Sequence, residues 1–134
     1  MKKTIQVLLI ALILCALSVT IFAQKPTRVK FRKGATSATI SGTLSNYKST
    51  RTYVIRVRAG QTLKVEQIRS ETSAHYVTLS IKNPAGEDVT DADASCNSQK
   101  EVTPTEAGDY VITVVECMKA DVWRGNFKLK FTVE

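Results

Sequence analysis

Apolar and polar residues alternate along most of this 134-residue chain with a period of two. Val29 and Phe31 alternate with Arg28, Lys30 and Arg32. Ala38, Ile40, Gly42 and Leu44 alternate with Thr39, Ser41 and Thr43; Tyr53, Ile55 and Val57 alternate with Arg56 and Arg58. The same pattern recurs at Leu63 and Val65, at Val77, Leu79 and Ile81, and at Phe127, Leu129, Phe131 and Val133. A period of two places successive side chains on opposite faces of a strand, one toward a core and one toward water, as antiparallel sheets commonly do. Val111 to Val115 is apolar on both faces except at Thr113, which predicts a central strand. Turn signals separate the runs at short intervals: Lys33-Gly34, Asn46 to Ser49, Ala59-Gly60, Asn83-Pro84-Ala85-Gly86 and Ala107-Gly108-Asp109. No segment after residue 23 has a helical period. Seven to eight short strands of this kind make an all-β domain, a sandwich or a small barrel. We read it as a single antiparallel β-sandwich. Glu87 to Lys100, acidic and rich in small residues, reads as a long loop.

The first 23 residues do not share the pattern. Lys2 and Lys3 precede an uncharged stretch from Ile5 to Phe22, of which Val7 to Leu17 is wholly apolar. Such a run, followed by the small Ala23, reads as a cleaved signal peptide over 1–23 with the working domain at 24–134. A permanent span wants about 20 apolar residues. Leu14 before Cys15 is too large for a lipidation site, so Cys15 belongs to the apolar run. Cleavage removes two of the 19 Lys and Arg and none of the 12 Asp and Glu, leaving 17 cations, 12 anions and a net charge of +5. A basic balance favours acidic partners such as an anionic cleft, a glycan or lipid headgroups. Export disfavours nucleic acid. It also makes Cys96 and Cys117 a disulfide pair in an oxidising compartment. The loop so closed, about 20 residues, is worth roughly 3 kcal/mol in the chain-entropy picture.

Several phrases resemble the bacterial periplasmic inhibitors of g-type lysozyme. They are Val29 to Gly42 (VKFRKGATSATISG), Tyr53 to Leu63 (YVIRVRAGQTL), Ala107 to Val114 (AGDYVITV), and Arg124-Gly125 followed by Phe127-Lys128-Leu129. The second and third phrases are also similar to the wider group of pre-peptidase C-terminal β-sandwich domains. The resemblance implies a β-sandwich that blocks a lysozyme by placing surface loops in its glycan cleft.

The residue inventory offers no catalytic constellation. His75 is the one histidine, so neither a nucleophile–His pair nor a zinc site has its partners. No metal and no cofactor are expected, and the chain is read as a non-enzyme. Glu87, Asp88, Asp91 and Asp93 form an acidic cluster, but Cys96 and Val102 stand where an EF-hand needs Gly and Glu. Two polar-aromatic loops are the candidate partner-binding site. One, Ser45 to Thr52, carries Asn46, Tyr47, Lys48 and Arg51 and runs into Tyr53; the other, Met118 to Asn126, carries Lys119, Trp123 and Arg124. A glycosidase cleft holds a catalytic carboxylic acid. Lys or Arg can bond such a group, and Tyr or Trp can fill a sugar subsite. The alternative for Tyr53 and Trp123 is a place in the core or at its rim. Arg28, Lys30, Arg32, Arg56, Arg58, Lys128 and Lys130 make a positive patch if their strands adjoin; otherwise such lysines protect sheet edges.

The function expected is thus an exported inhibitor of g-type lysozyme, periplasmic or secreted, with no stable membrane span after cleavage. The alternative is a stand-alone envelope module of the pre-peptidase C-terminal type that grips a glycan or another protein. An inhibitor calls for Tyr47, Lys48 and Arg124 protruding at one end of the sandwich. A glycan binder calls for a groove lined by exposed aromatics, with Trp123 and Tyr47 as candidates.

Overall fold

The computed structural model describes residues 24–46, 48–69, 75–90, 96–117 and 123–134. The expected signal segment, Tyr47, Lys119, Asp91 and Asp93 lie outside them. The described residues form eight strands: β1 (Thr27–Arg28), β2 (Ser37–Leu44), β3 (Arg51–Val57), β4 (Leu63–Ile68), β5 (Val77–Lys82), β6 (Gln99–Val102), β7 (Gly108–Glu116) and β8 (Gly125–Val133). They pair as two four-stranded sheets, in the orders β1-β3-β7-β5 and β2-β8-β4-β6. This is the expected all-β sandwich. Every ladder is antiparallel except the two-residue pairing of β1 with β3.

The alternation read from the sequence becomes the burial pattern. Tyr53, Ile55 and Val57 of β3, Val77, Leu79 and Ile81 of β5, and Tyr110, Ile112 and Val114 of β7 point inward from the first sheet. They meet Leu44, Leu63, Val65, Phe127, Leu129, Phe131 and Val133 from the second. Tyr53 reaches across the layer to lie edge-on to Phe127 and Phe131, at ring distances of 6.5 and 5.8 Å. Its approach explains Gly42, whose missing Cβ would collide with the Phe127 ring and the Tyr53 hydroxyl. β7 is central, as its two-sided apolarity implied.

Three expectations change. The basic residues do not form one patch: Arg28 and Arg56 lie on the first sheet, whereas Lys128 and Lys130 lie on β8 of the second. Arg28 is also paired with Asp109 at 2.8 Å, and Lys130 faces Glu66 at 3.7 Å. The lysines of β8 do not guard an edge, because β8 has neighbours on both sides. Finally, the long loop stops short of Lys100. β6 begins at Gln99, and Asp88 bridges back to Lys82.

The register decides which loops share an end. Leu44 pairs with Gly125, Arg51 with Val114, Ile68 with Lys128 and Val77 with Glu116. The described ends of the β2–β3, β4–β5 and β7–β8 connections therefore gather at one end of the sandwich. Cys96 bonds Cys117 there, across a sequence separation of 21, and its N–H donates to Thr78 Oγ1 at 2.9 Å.

Candidate functional site

The two loops singled out in the sequence both belong to this end, and a third, from β4 to β5, joins them. The β2–β3 loop is held by its own polar groups. Asn46 Oδ1 accepts the Lys48 N–H at 3.0 Å, and Ser49 Oγ accepts the N–H of Ser45 and Asn46 at 3.0 and 2.9 Å. Asn46 is thus a turn former, in the manner usual for Asn. Arg51 braces the base of the loop. Its Nε donates to the Thr43 carbonyl at 2.7 Å and its Nη1 to Gln24 Oε1 at 2.8 Å. Lys48 stands exposed above this scaffold.

Tyr53 and Trp123 take the buried alternative. Tyr53 is 3% exposed and sits in the core. Burial pushes its phenol pKa up, against a smaller downward pull from the Arg51 charge. Trp123 is 5% exposed, so its role at this end is support. Its indole Nε1–H donates to the Tyr76 carbonyl at 3.0 Å. The same carbonyl accepts the Cys117 N–H at 2.9 Å, which ties the β4–β5 and β7–β8 connections together. Glu116, itself buried, accepts the Trp123 N–H at 3.3 Å. Arg124, the next residue, is exposed.

The third loop escaped the sequence reading. His75 is exposed and stacks on the Trp123 ring, with centroids 4.9 Å apart and planes 5° from parallel. The Arg69 guanidinium lies 4.1 Å from the Tyr76 ring centroid, a cation–π contact. Gln67 clamps the segment that carries these rings: Nε2 donates to the His75 carbonyl at 2.9 Å, and Oε1 accepts the Val77 N–H at 3.0 Å. The adjacent pair His75-Tyr76 is the sequence signal that could have pointed to this loop. Nothing local to that pair marks the loop across from it.

This end is electrostatically one-sided. Lys48, Arg51, Arg69 and Arg124 lie here, and Glu116 is the one described carboxylate among the residues that close it. Asp88, Glu101, Glu106, Asp109 and Glu134 lie toward the opposite end by the same register. Among the described residues no group of three or more His, Cys, Asp or Glu could hold a metal ion. A groove beside the site, on the outer face of the second sheet, is lined by Ser41, Thr43, Ile68, Arg69, Asn126 and Lys128. Phe127 at its floor is buried, so this groove lacks the exposed aromatic platform of a sugar binder.

The sandwich itself has solved counterparts. PliG of Aeromonas hydrophila, a periplasmic lysozyme inhibitor of g-type lysozyme, superposes with a TM-score of 0.62 at 23% identity, over 82% of this chain and 96% of that one. The chain has the fold of the g-type lysozyme inhibitors. PliG of Salmonella Typhimurium, also a periplasmic lysozyme inhibitor of g-type lysozyme, gives a TM-score of 0.57 at 21% identity, over 82% and 98%. The pre-peptidase C-terminal domain of a Bacillus anthracis collagenase gives 0.50 at 15%, over 82% and 95%. At these identities the likeness is one of fold. No protein-family model and no curated protein matches the sequence.

Proposed function

We propose that this chain is an exported, non-catalytic inhibitor of g-type lysozyme that occludes the enzyme's glycan cleft with the loop end of the sandwich. The observation that carries the reading is the convergence of exposed Lys48 and Arg124 on one end of a sandwich with the fold of such inhibitors, where hydrogen bonds fix the backbone N–H of Lys48 and of Trp123, the neighbour of Arg124. A cleft built to cleave a glycan presents carboxylates. A cation held on a pre-ordered loop meets them with little loss of conformational freedom on binding. Tyr47 and Lys119 belong to the same two loops and are proposed to share the contact. Asn46, Arg51, Tyr53 and Trp123 act behind them, setting loop shape.

Residues 1–23 direct export and are removed, placing the domain in the periplasm or outside the cell, where such an enzyme attacks. The interaction needs no cofactor and no covalent bond. A turbidity assay of muramidase activity with the purified 24–134 domain tests this. The expected result is stoichiometric inhibition of a g-type enzyme, weakened by Lys48→Ala and Arg124→Ala. Full activity of the lysozyme in molar excess of the domain would overturn it.

A further inference from the structure

β2 closes one side of the second sheet, and its outer edge is open. Its backbone groups sort by parity. Val133 N–H donates to the Thr36 carbonyl at 2.8 Å, so the even-numbered residues face β8. The Thr43 carbonyl instead accepts from the Arg51 side chain at 2.7 Å, so the odd-numbered residues face away from β8. In an antiparallel ladder the N–H and C=O of one residue point to the same side. Ser37, Thr39 and Ser41 therefore hold out both groups, with no partner among the described residues.

The other edges of the sandwich are blunted. β1 has two residues and β6 has four, the latter carrying Lys100 and Glu101. The edge of β5 is met by the Lys82–Asp88 bridge. β2, with the sequence SATISGTL over eight residues, has no charge and no proline. A long uncharged edge is a template for another strand, and natural proteins ordinarily guard it with lysine, proline or a bulge.

We propose that this edge joins a second copy of the same chain, β2 against β2, in an antiparallel two-fold dimer. The edge is self-complementary. One register uses all three open residues: Thr39 opposite its own copy on the axis, and Ser37 opposite Ser41. Each such pair exchanges two bonds, so about six backbone hydrogen bonds close the seam. The same register sets half-buried Ala38 against Ile40 of the partner copy, covering apolar side chains at the open side of the core. Two such chains, each of net positive charge, meet without opposing like charges on this strand. Because the pairing is antiparallel, the two loop ends point to opposite poles and both stay free. Dimerisation therefore does not depend on lysozyme binding.

Sedimentation velocity across a concentration series, together with amide exchange by NMR, tests it on the 24–134 domain. The unaltered domain is expected to pass from monomer to dimer, with exchange at Ser37, Thr39 and Ser41 slowing on the order of tenfold as concentration rises about a hundredfold. Thr39→Pro removes an outward donor, and Thr39→Lys sets two like charges face to face on the axis. Both are expected to stay monomeric with unchanged far-UV circular dichroism. Should the proline variant fail to fold, the lysine variant decides. A domain monomeric at every concentration, with concentration-independent exchange at those amides, overturns the proposal. So does a folded Thr39→Lys that dimerises as the unaltered domain does.

Discussion

Trp123 separates support from contact most sharply. Its ring is 5% exposed, stacked against His75 and anchored by its indole N–H to the Tyr76 carbonyl. Trp123→Ala removes a buried aromatic from a site whose walls are tied by the Cys96–Cys117 bridge, so the space cannot readily close. Substitutions of that kind cost about 3–5 kcal/mol. Trp123→Phe keeps most of the ring and loses only the hydrogen bond. The Tyr76 carbonyl then still has the Cys117 N–H, so no buried acceptor is orphaned. The loss falls near the ordinary value of a hydrogen bond, about 1 kcal/mol. Trp123 is the one tryptophan, so far-UV circular dichroism rather than fluorescence must follow the urea transitions. If Trp123 is a support, inhibition falls strongly in Trp123→Ala and survives within a few-fold in Trp123→Phe. A loss under about 1 kcal/mol in Trp123→Ala would refute the packing argument, since truncated buried aromatics cost several times that. Abolished inhibition by a fully stable Trp123→Phe would make Trp123 a direct contact.

Four further outcomes are expected. Gly42→Ala drives a methyl into Phe127 and Tyr53, and should cost about 1–3 kcal/mol in urea unfolding even though alanine suits a strand better than glycine. Replacing both Cys96 and Cys117 by serine should cost roughly 3 kcal/mol, and it should weaken inhibition beyond that loss because Cys117 opens the loop that carries Arg124. Hydrogen bonds from Arg28 hold the Asp109 pKa below its ordinary value, and those from Thr90 do the same for Asp88. Both depressed groups stabilise the fold above the unfolded carboxylate pKa of about 3.9; that contribution is lost as pH falls through their folded values, so the melting temperature should drop at acid pH and do so less steeply in Asp109→Asn. Arg124→Ala should weaken lysozyme binding mainly at low salt while leaving the unfolding curve within about 0.5 kcal/mol, as surface substitutions do.

The strands were legible because alternation is local. Tyr53-Ile55-Val57 and Phe127-Leu129-Phe131-Val133 announce their inward faces without reference to any other part of the chain. Pairing is not local, and that is where the reading failed. Val29 and Phe31 continue an alternating pattern, yet β1 ends at Arg28. Nothing in the lysines of β8 says that the strand has neighbours on both sides, or that the edge falls to the uncharged β2. The site shows the same division. Lys48 and Arg124 were found because cations and aromatics stand out in short loops. Arg69, Tyr76 and Gln67 were missed because their relevance comes from a third loop brought to the same end by strand order. Tyr53 and Trp123 illustrate a different ambiguity, since an aromatic beside a polar loop reads equally as anchor or as core. Only the direction of the side chain decides, and here both point inward.

The proposed function puts the loop end of this sandwich in the cleft of a g-type lysozyme. Titrating such an enzyme with the 24–134 domain by calorimetry, and repeating it with the cleft filled by a chitooligosaccharide, tests that most directly. The expected result is a one-to-one complex per chain that the sugar competes away and that Lys48→Ala with Arg124→Ala weakens. A complex indifferent to the sugar, or no heat of binding at all, would contradict it.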